Sequence, residues 1–378
     1  MCTFLAVFLF GLFVAATLVQ IAFWQLVFAR CSLGIERSKM SDGKCSSGEP
    51  VSVLLCVRNE ADNLRRNLPV ILEQQYPAFE VLVIDDDSTD GTAAALRQFQ
   101  KTYAHLRVLH AGPKTRPGKK AALEQGIRAA RFEWLAFTDA DCRPAGSHWL
   151  RQLSAGFGTP SAAVEIVLGY GPYRQAPGAL NRWIRFETVQ TAMQYFSFAR
   201  IGLPYMGVGR NLAWRRQVFE RVGGFDAHAS LASGDDDLLV NAAARRHNTA
   251  VCLDPAAFVY SEGEPGWRQW WRQKQRHLQA GRQYRPEHQA LLGLLALTQV
   301  LHYFLLIPLA SSDFGIISVV LYAIRMASAF PIYWKVLRQF RDEQLLIWFP
   351  LLDALLAFYY AVFVPLVLIR SNYLISWK

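Results

Sequence analysis

The 378-residue chain has no CxxC pair, and its six cysteines, Cys2, Cys31, Cys45, Cys56, Cys142 and Cys252, are scattered. That spacing argues against a disulfide framework and points to reduced thiols. No zinc-finger or other nucleic-acid signature occurs, so the formal net charge of +10 is not read as a nucleic-acid footprint. It fits an anionic membrane surface or a phosphorylated substrate instead. Charge is missing altogether from residues 3–29. A helix needs about 20 apolar residues to cross the hydrocarbon core, and this run supplies them. It has no basic segment before it and no small-residue cleavage site after it, which favours a retained anchor over a cleaved signal peptide.

The hydrophobic content, 52%, is concentrated at the two ends of the chain. Three further spans are expected near 288–312, 314–334 and 344–369. Arg30, Arg37 and Lys39 follow the first span, and Lys335, Arg338 and Arg341 lie between the third and fourth. The link at 311–313 has no base. The positive-inside rule then places both termini outside and residues 30–287 in the cytosol, so the chain is expected to be an integral protein of the cell membrane. Two charges interrupt the spans, Arg325 and Asp353, each about fourteen residues from Gln339. At 1.5 Å per residue they reach similar depth in a hairpin. An unpaired charge there is costly, so the two are expected to pair, as a lock on the hairpin rather than a substrate path.

Between the ends, residues 40–50 read as a linker. Short apolar runs at 51–57, 80–84, 108–109 and 134–138 read as strands, and 61–75, 92–101 and 119–131 as helices. Strands alternating with helices imply an α/β domain with a mainly parallel sheet. In such sheets ligands bind outside the carboxyl ends of the strands. Acids fall there three times: Glu60, then Asp85, Asp86 and Asp87, then Asp139 and Asp141. Any one of these could cap a helix or face solvent. Three at adjacent strand ends point to a shared cleft.

Carboxylates cannot bind a nucleoside diphosphate directly, because like charges repel. A hard divalent cation, Mg²⁺ or Mn²⁺, held by Asp139 and Asp141 would resolve this. The basic loop at 114–120, KTRPGKK, leads into a helix and suits an anion, or is simply a solvated turn. Asp235, Asp236 and Asp237 form a further acidic cluster. One of them could take a proton from an acceptor hydroxyl, or the cluster could serve as a helix start. Trp267, Trp270 and Trp271 share helical spacing with basic residues between them. That pattern is expected of a helix lying at a membrane interface, with a core helix as the alternative.

Taken in order, these motifs resemble family 2 glycosyltransferases of the GT-A fold, over residues 50–285. IDDDSTDGT at 84–92 is similar to that family's VDDGSTDGT, with Asp87 in place of glycine. RNE at 58–60, PGKKAAL at 117–123, DAD at 139–141, GVGRNLAWRR at 207–216, GGFD at 223–226 and QKQRH at 273–277 resemble its further motifs. Two family residues are absent: Gly234 stands where a glutamate usually precedes Asp235, and His277 replaces a tryptophan associated with processive synthesis.

The resemblance implies a nucleotide-sugar donor, with a UDP-sugar expected, contacted by Glu60, Asp85, Asp86, Lys119 and Asp139. It implies metal on Asp139 and Asp141, and Asp235 as catalytic base with Asp236 as the alternative. Arg210, Asn211, Gln273 and Arg276 would serve the diphosphate or the acceptor. The expected organisation is an N-terminal transmembrane helix at 1–29, a linker at 30–49, and the GT-A domain at 50–265. An interfacial helix at 266–287 and C-terminal transmembrane helices at 288–378 follow. The expected activity is inverting transfer to a lipid-linked or membrane-proximal glycan acceptor in cell-envelope synthesis. A processive polysaccharide synthase and an inactive nucleotide-sugar-binding membrane subunit are the alternatives.

Overall fold

A computed structural model describes residues 3–33, 48–112, 118–157, 164–231 and 233–369. Most of the linker, the loop residues 113–117 and the last nine residues therefore lie outside the described part. Among the described residues there are nine strands: β1 Val51–Val57, β2 Phe79–Asp85, β3 Leu106–His110, β4 Trp134–Phe137, β5 Cys142–Pro144, β6 Ile166–Leu168, β7 Leu212–Arg215, β8 Thr249–Val251 and β9 Val259–Ser261. Seven form one sheet in the order β3-β2-β1-β4-β7-β6-β8. The first four are mutually parallel, β7 runs against both β4 and β6, and β8 is parallel to β6. β5 and β9 make a separate antiparallel pair. The sheet is thus mixed but parallel in the half that carries the acidic strand ends.

β1 reads VSVLLCV without polar alternation because both its faces are covered. Val53, Leu55 and Val57 pack with Leu64, Leu68 and Ile71 of the helix Ala61–Leu72. Leu54, with Leu82 and Ile84 of β2, meets Ala122, Leu123 and Ile127 of the helix Lys120–Ala129 on the other face. That second helix lies close to the sheet because Gly126 lets it. A Cβ there would fall 2.6 Å from the Ile84 side chain. The four expected strands and three expected helices of this half all form, within a few residues of their expected ends.

Among the described residues, four helices are long and apolar enough to cross a membrane: Phe4–Ser32, Pro286–Ala310, Gly315–Phe340 and Glu343–Phe363. Arg325 and Asp353 meet as the sequence implied, both buried between helices. The structure adds partners that the sequence did not reveal. Tyr303 donates to Asp353 Oδ2 at 2.6 Å, Gln299 Nε2 donates to Oδ1 at 3.0 Å, and Arg325 Nη2 reaches Gln299 and Gln20. Gln20 belongs to the first helix, which also bonds the second through Thr17 and His302, 2.8 Å apart. The N-terminal helix is therefore tied by polar contacts to the second and third of these helices, and through Arg325 to the fourth.

The third span differs from expectation. Its helix runs on to Phe340 rather than stopping near 334, because Val336, Leu337 and Phe340 are buried against protein. Phe340 stacks on Tyr170 at 4.2 Å, Asp342 forms a buried ion pair with Arg185, and Gln339 bonds the Leu253 carbonyl. The tip of this hairpin is thus part of the α/β domain's core. The tryptophan-rich helix Trp267–Gly281 divides its tryptophans between surface and core. Trp267 is exposed, but Trp270 is buried beside Trp183 and Tyr359, and Trp271 packs on Phe363 of the last span. Two of the three tryptophans therefore face protein rather than lipid.

Candidate active site

The carboxyl ends of β1, β2 and β4 lie side by side, which brings Glu60, Asp85–Asp87 and Asp139 to one edge of the sheet. Two turns there are bonded together. Asn59 adopts a left-handed backbone, φ 57°, and its Oδ1 accepts the Thr89 N–H at 2.8 Å. Asp87 is also left-handed, φ 62°, a conformation that aspartate tolerates better than most residues and that explains the glycine in the related motif. Glu60 precedes the helix Ala61–Leu72, and its Oε2 accepts from Asn63 at 2.5 Å. Asp85 accepts the Ser88 N–H at 3.0 Å, which shapes the turn, and Asp86 is buried beside it.

Lys119 is the hub of the cleft. Its ammonium lies 3.2 Å from Asp139 Oδ1 and 3.0 Å from Asp235 Oδ2. Burial lowers its pKa, but the charges of Asp139 and Asp235 outweigh burial and hold it well above the ordinary value. Cys56, Phe137, Thr138, Gly209, Asp235 and Asp236 line the narrow pocket around it. Asp139, Asp141 and Cys142 present ligand atoms within 4.8 Å of one another. Two carboxylates on one short turn are the oxygen donor set a hard divalent cation takes, so these residues fit such an ion. Asp141 is the exposed member of this set; partial desolvation first, and then the charge of Asp139, raise its pKa.

The remaining expected residues divide. Arg210 donates to the Gly171 carbonyl and lies over the Tyr173 ring, 4.6 Å from its centre. Tyr173 Oη is 3.5 Å from Gln273 Oε1, and Gln273 bonds Glu264 at 3.0 Å, so Arg210 and Gln273 flank one aromatic ring. The Arg276 carbonyl accepts from Ser233, two residues before Asp235. Asn211 is apart from the cleft surface. It is fully buried, donates to the Tyr170 and Ala257 carbonyls at 2.7 and 2.8 Å, and accepts from Trp149 at 3.0 Å. All its capacity is spent inside the protein, where it fixes the segment before Gly171.

Residues 52–223 match the model of glycosyl transferase family 2. This stretch is a family 2 glycosyltransferase domain. The chain is 28% identical over 246 residues to the probable glycosyltransferase YdaM of Bacillus subtilis, covering 62% of this chain and 55% of that one. It is 26% identical over 239 residues to a beta-monoglucosyldiacylglycerol synthase of Synechocystis, covering 62% and 48%. The chain thus spans about half the length of these curated relatives. Among solved structures it is similar to a mannosyltransferase of Pyrobaculum calidifontis in complex with GDP-Man and Mn²⁺. The TM-score is 0.54 at 19% identity, covering 93% of this chain and 99% of that one. At that identity the likeness establishes the GT-A fold.

The family 2 domain holds functional support that motif reading missed. Lys120 is fully buried and donates to the His228 and Leu231 carbonyls at 2.7 and 3.0 Å. It pins the loop that leads to Asp235. A pair of adjacent lysines gave no sign that one faces the cleft and the other the core. Asp236 accepts the Gly209 N–H at 2.6 Å and the Asp237 N–H at 2.8 Å. A side chain at Gly209 would press on that carboxylate, since its Cβ would fall 2.9 Å from Oδ2. Asp236 is held near pKa 6 by burial first and the Asp235 charge second.

Asp237 is buried behind it and accepts from Tyr284 Oη at 2.8 Å. Burial, and then the charge of Asp236, push Asp237 up to about 8 from an ordinary 3.8. A folded-state pKa raised this way gives stability that is complete below about pH 4 and is lost as pH rises through about 8. Asp237→Asn should therefore flatten the fall in melting temperature across that window, relative to the unsubstituted protein. Parallel melting curves for the two proteins would refute the assignment.

Proposed function

We propose that this chain transfers a sugar, with inversion, from a nucleoside-diphosphate sugar, with a UDP-sugar first among candidates, to a lipid-linked or membrane-proximal acceptor. The observation that carries the reading is Lys119, whose one ammonium is shared by Asp139 of the donor-side turn and Asp235 of the opposite loop. That sharing makes one cleft of the sugar-leaving and proton-accepting sides. Asp235 takes the proton from the acceptor hydroxyl as its oxygen attacks the anomeric carbon. The bond from that carbon to the diphosphate oxygen breaks on the opposite face. Lys119 orients Asp235 through their 3.0 Å ion pair and offers positive charge to the departing diphosphate. Glu60, Asp85 and Asp86 line the nucleoside end, and Arg210, Gln273 and Arg276 the diphosphate or acceptor end. A divalent cation bound by Asp139 and Asp141 would supply charge neutralisation for the diphosphate.

The membrane setting supports the acceptor class. Four membrane-length helices share a core with the catalytic domain, and one curated relative is named as a glycolipid synthase. The basic residues beside the spans support a cytosolic catalytic domain. Purified full-length protein given labelled nucleotide sugars, Mn²⁺ and lipid extract should transfer label to the lipid fraction. Asp141→Ala should abolish transfer while leaving the melting temperature near that of the parent. Full transfer by this variant would end the metal-site reading, and neither transfer nor donor hydrolysis by the parent would favour a binding subunit.

A further inference from the structure

At the opposite end of the sheet from the cleft lies a cavity of about 650 Å³ that the transfer reaction does not use. Among its lining residues are Arg215, Arg221, Arg245, His247 and one acid, Glu165. Glu165 is already satisfied: Arg221 donates to both its oxygens at 2.9 and 2.6 Å, and Gln217 and Asn248 add bonds. Arg215 makes no hydrogen bond among the described residues through its guanidinium, which instead lies over Trp134, 5.0 Å from the ring centre. Arg245 spends one nitrogen on the Ala242 and Ala244 carbonyls and is otherwise exposed, as is His247. Three arginines against one acid leave the cavity with surplus positive charge.

Two contacts place this cavity beside the ends of membrane-length helices. Arg285, the residue before the span Pro286–Ala310, reaches the Ala244 carbonyl at 3.5 Å, next to Arg245. On the other side, Arg246 packs against Gly202, just past the helix Ala179–Arg200. Arg200 of that helix donates to the carbonyls of Arg30 and Cys31 at the end of the first span. The loop 245–247 is thus bracketed by the ends of two spans, at the height of lipid headgroups. Glu287 is the acid at this rim, 3.5 Å from Arg285.

We infer that the cavity bounded by Arg215, Arg221, Arg245 and His247 binds the phosphate of an anionic membrane lipid. Arginine suits a phosphate through its planar fork of donors, and headgroup phosphates are the anions present at this depth. The site orients the domain on an anionic bilayer and stands whether or not the transfer reading above holds.

The test is native mass spectrometry of full-length protein released from detergent with phosphatidylglycerol or phosphatidylcholine. The parent should retain phosphatidylglycerol in preference. Arg245→Gln with His247→Gln, both at exposed positions, should lower that preference about fivefold, the effect of one interfacial charge. Arg246→Gln, beside the cavity but directed away from it, should leave the preference nearly intact. An equal loss in both variants would mean diffuse surface charge and overturn the site, as would unchanged retention in the double variant. Displacement of phosphatidylglycerol by millimolar inorganic phosphate would assign the cavity to a soluble anion instead.

Discussion

Asp235→Asn is expected to lower turnover by about 10²–10⁴-fold, the usual contribution of a positioned general base, with donor affinity and melting temperature little changed. The amide keeps the size of the carboxylate and still offers an oxygen to Lys119, 3.0 Å away, but cannot accept the acceptor's proton. Asp236→Asn is the informative companion. Asp236 uses both oxygens on backbone N–H groups, from Gly209 and Asp237, and an asparagine can accept only one of them. Its nitrogen would face a buried donor, which costs about 1–3 kcal/mol. That variant should lose stability as well as activity. Steady-state rates and thermal melts on both proteins separate the two roles. Loss of activity without loss of stability at Asp236, with Asp235→Asn active, would move the base by one residue.

The second large effect is expected inside the bundle of apolar helices. Arg325→Leu leaves the Asp353 carboxylate buried with Tyr303 and Gln299 but no counter-charge. Breaking a buried pair by removing one partner typically costs about 3–5 kcal/mol. Asp353→Leu should cost a similar amount, because the guanidinium is then stranded in a low-dielectric site. The double variant, with neither charge, should recover much of the loss, since a well-packed apolar pair can match a buried ion pair. Melting temperatures in one detergent, read as a double-mutant cycle, give the coupling. Simple additivity of the two single effects would show that the ion pair is not what joins these helices.

Both variants rest on pairings of different kinds. The Arg325–Asp353 contact follows from equal distance along two helices of one hairpin, a regularity that residue number alone can express. The roles of Asp235 and Asp236 do not follow from number, since the two are adjacent and chemically identical. Their difference arises because the chain passes Gly209 close to one and Lys119 close to the other.

The same division runs through the molecule. Largely apolar runs at β1, β2 and β4, followed each time by acids, made the parallel half of the sheet and its cleft readable, because local pattern sets which segments pair and where they end. The DAD turn and the GKK loop were readable for the same reason. Asn211 was not. Its place in a motif suggested a ligand, and only the packing of Tyr170, Ala257 and Trp149 around it showed that it holds the scaffold.

By itself, then, the sequence determined the strand–helix alternation, the acidic strand ends, the four apolar spans and the buried charge pair. Each is written in residues near one another or in a fixed helical period. Tertiary structure alone decided which lysine faces the cleft, which aspartate meets Lys119 and which the Gly209 N–H, and that Phe340 of an apolar helical hairpin stacks on Tyr170 of the α/β domain. The last of these joins residues 170 positions apart (340 less 170). These contacts depend on the geometry of closure, which no local spacing carries.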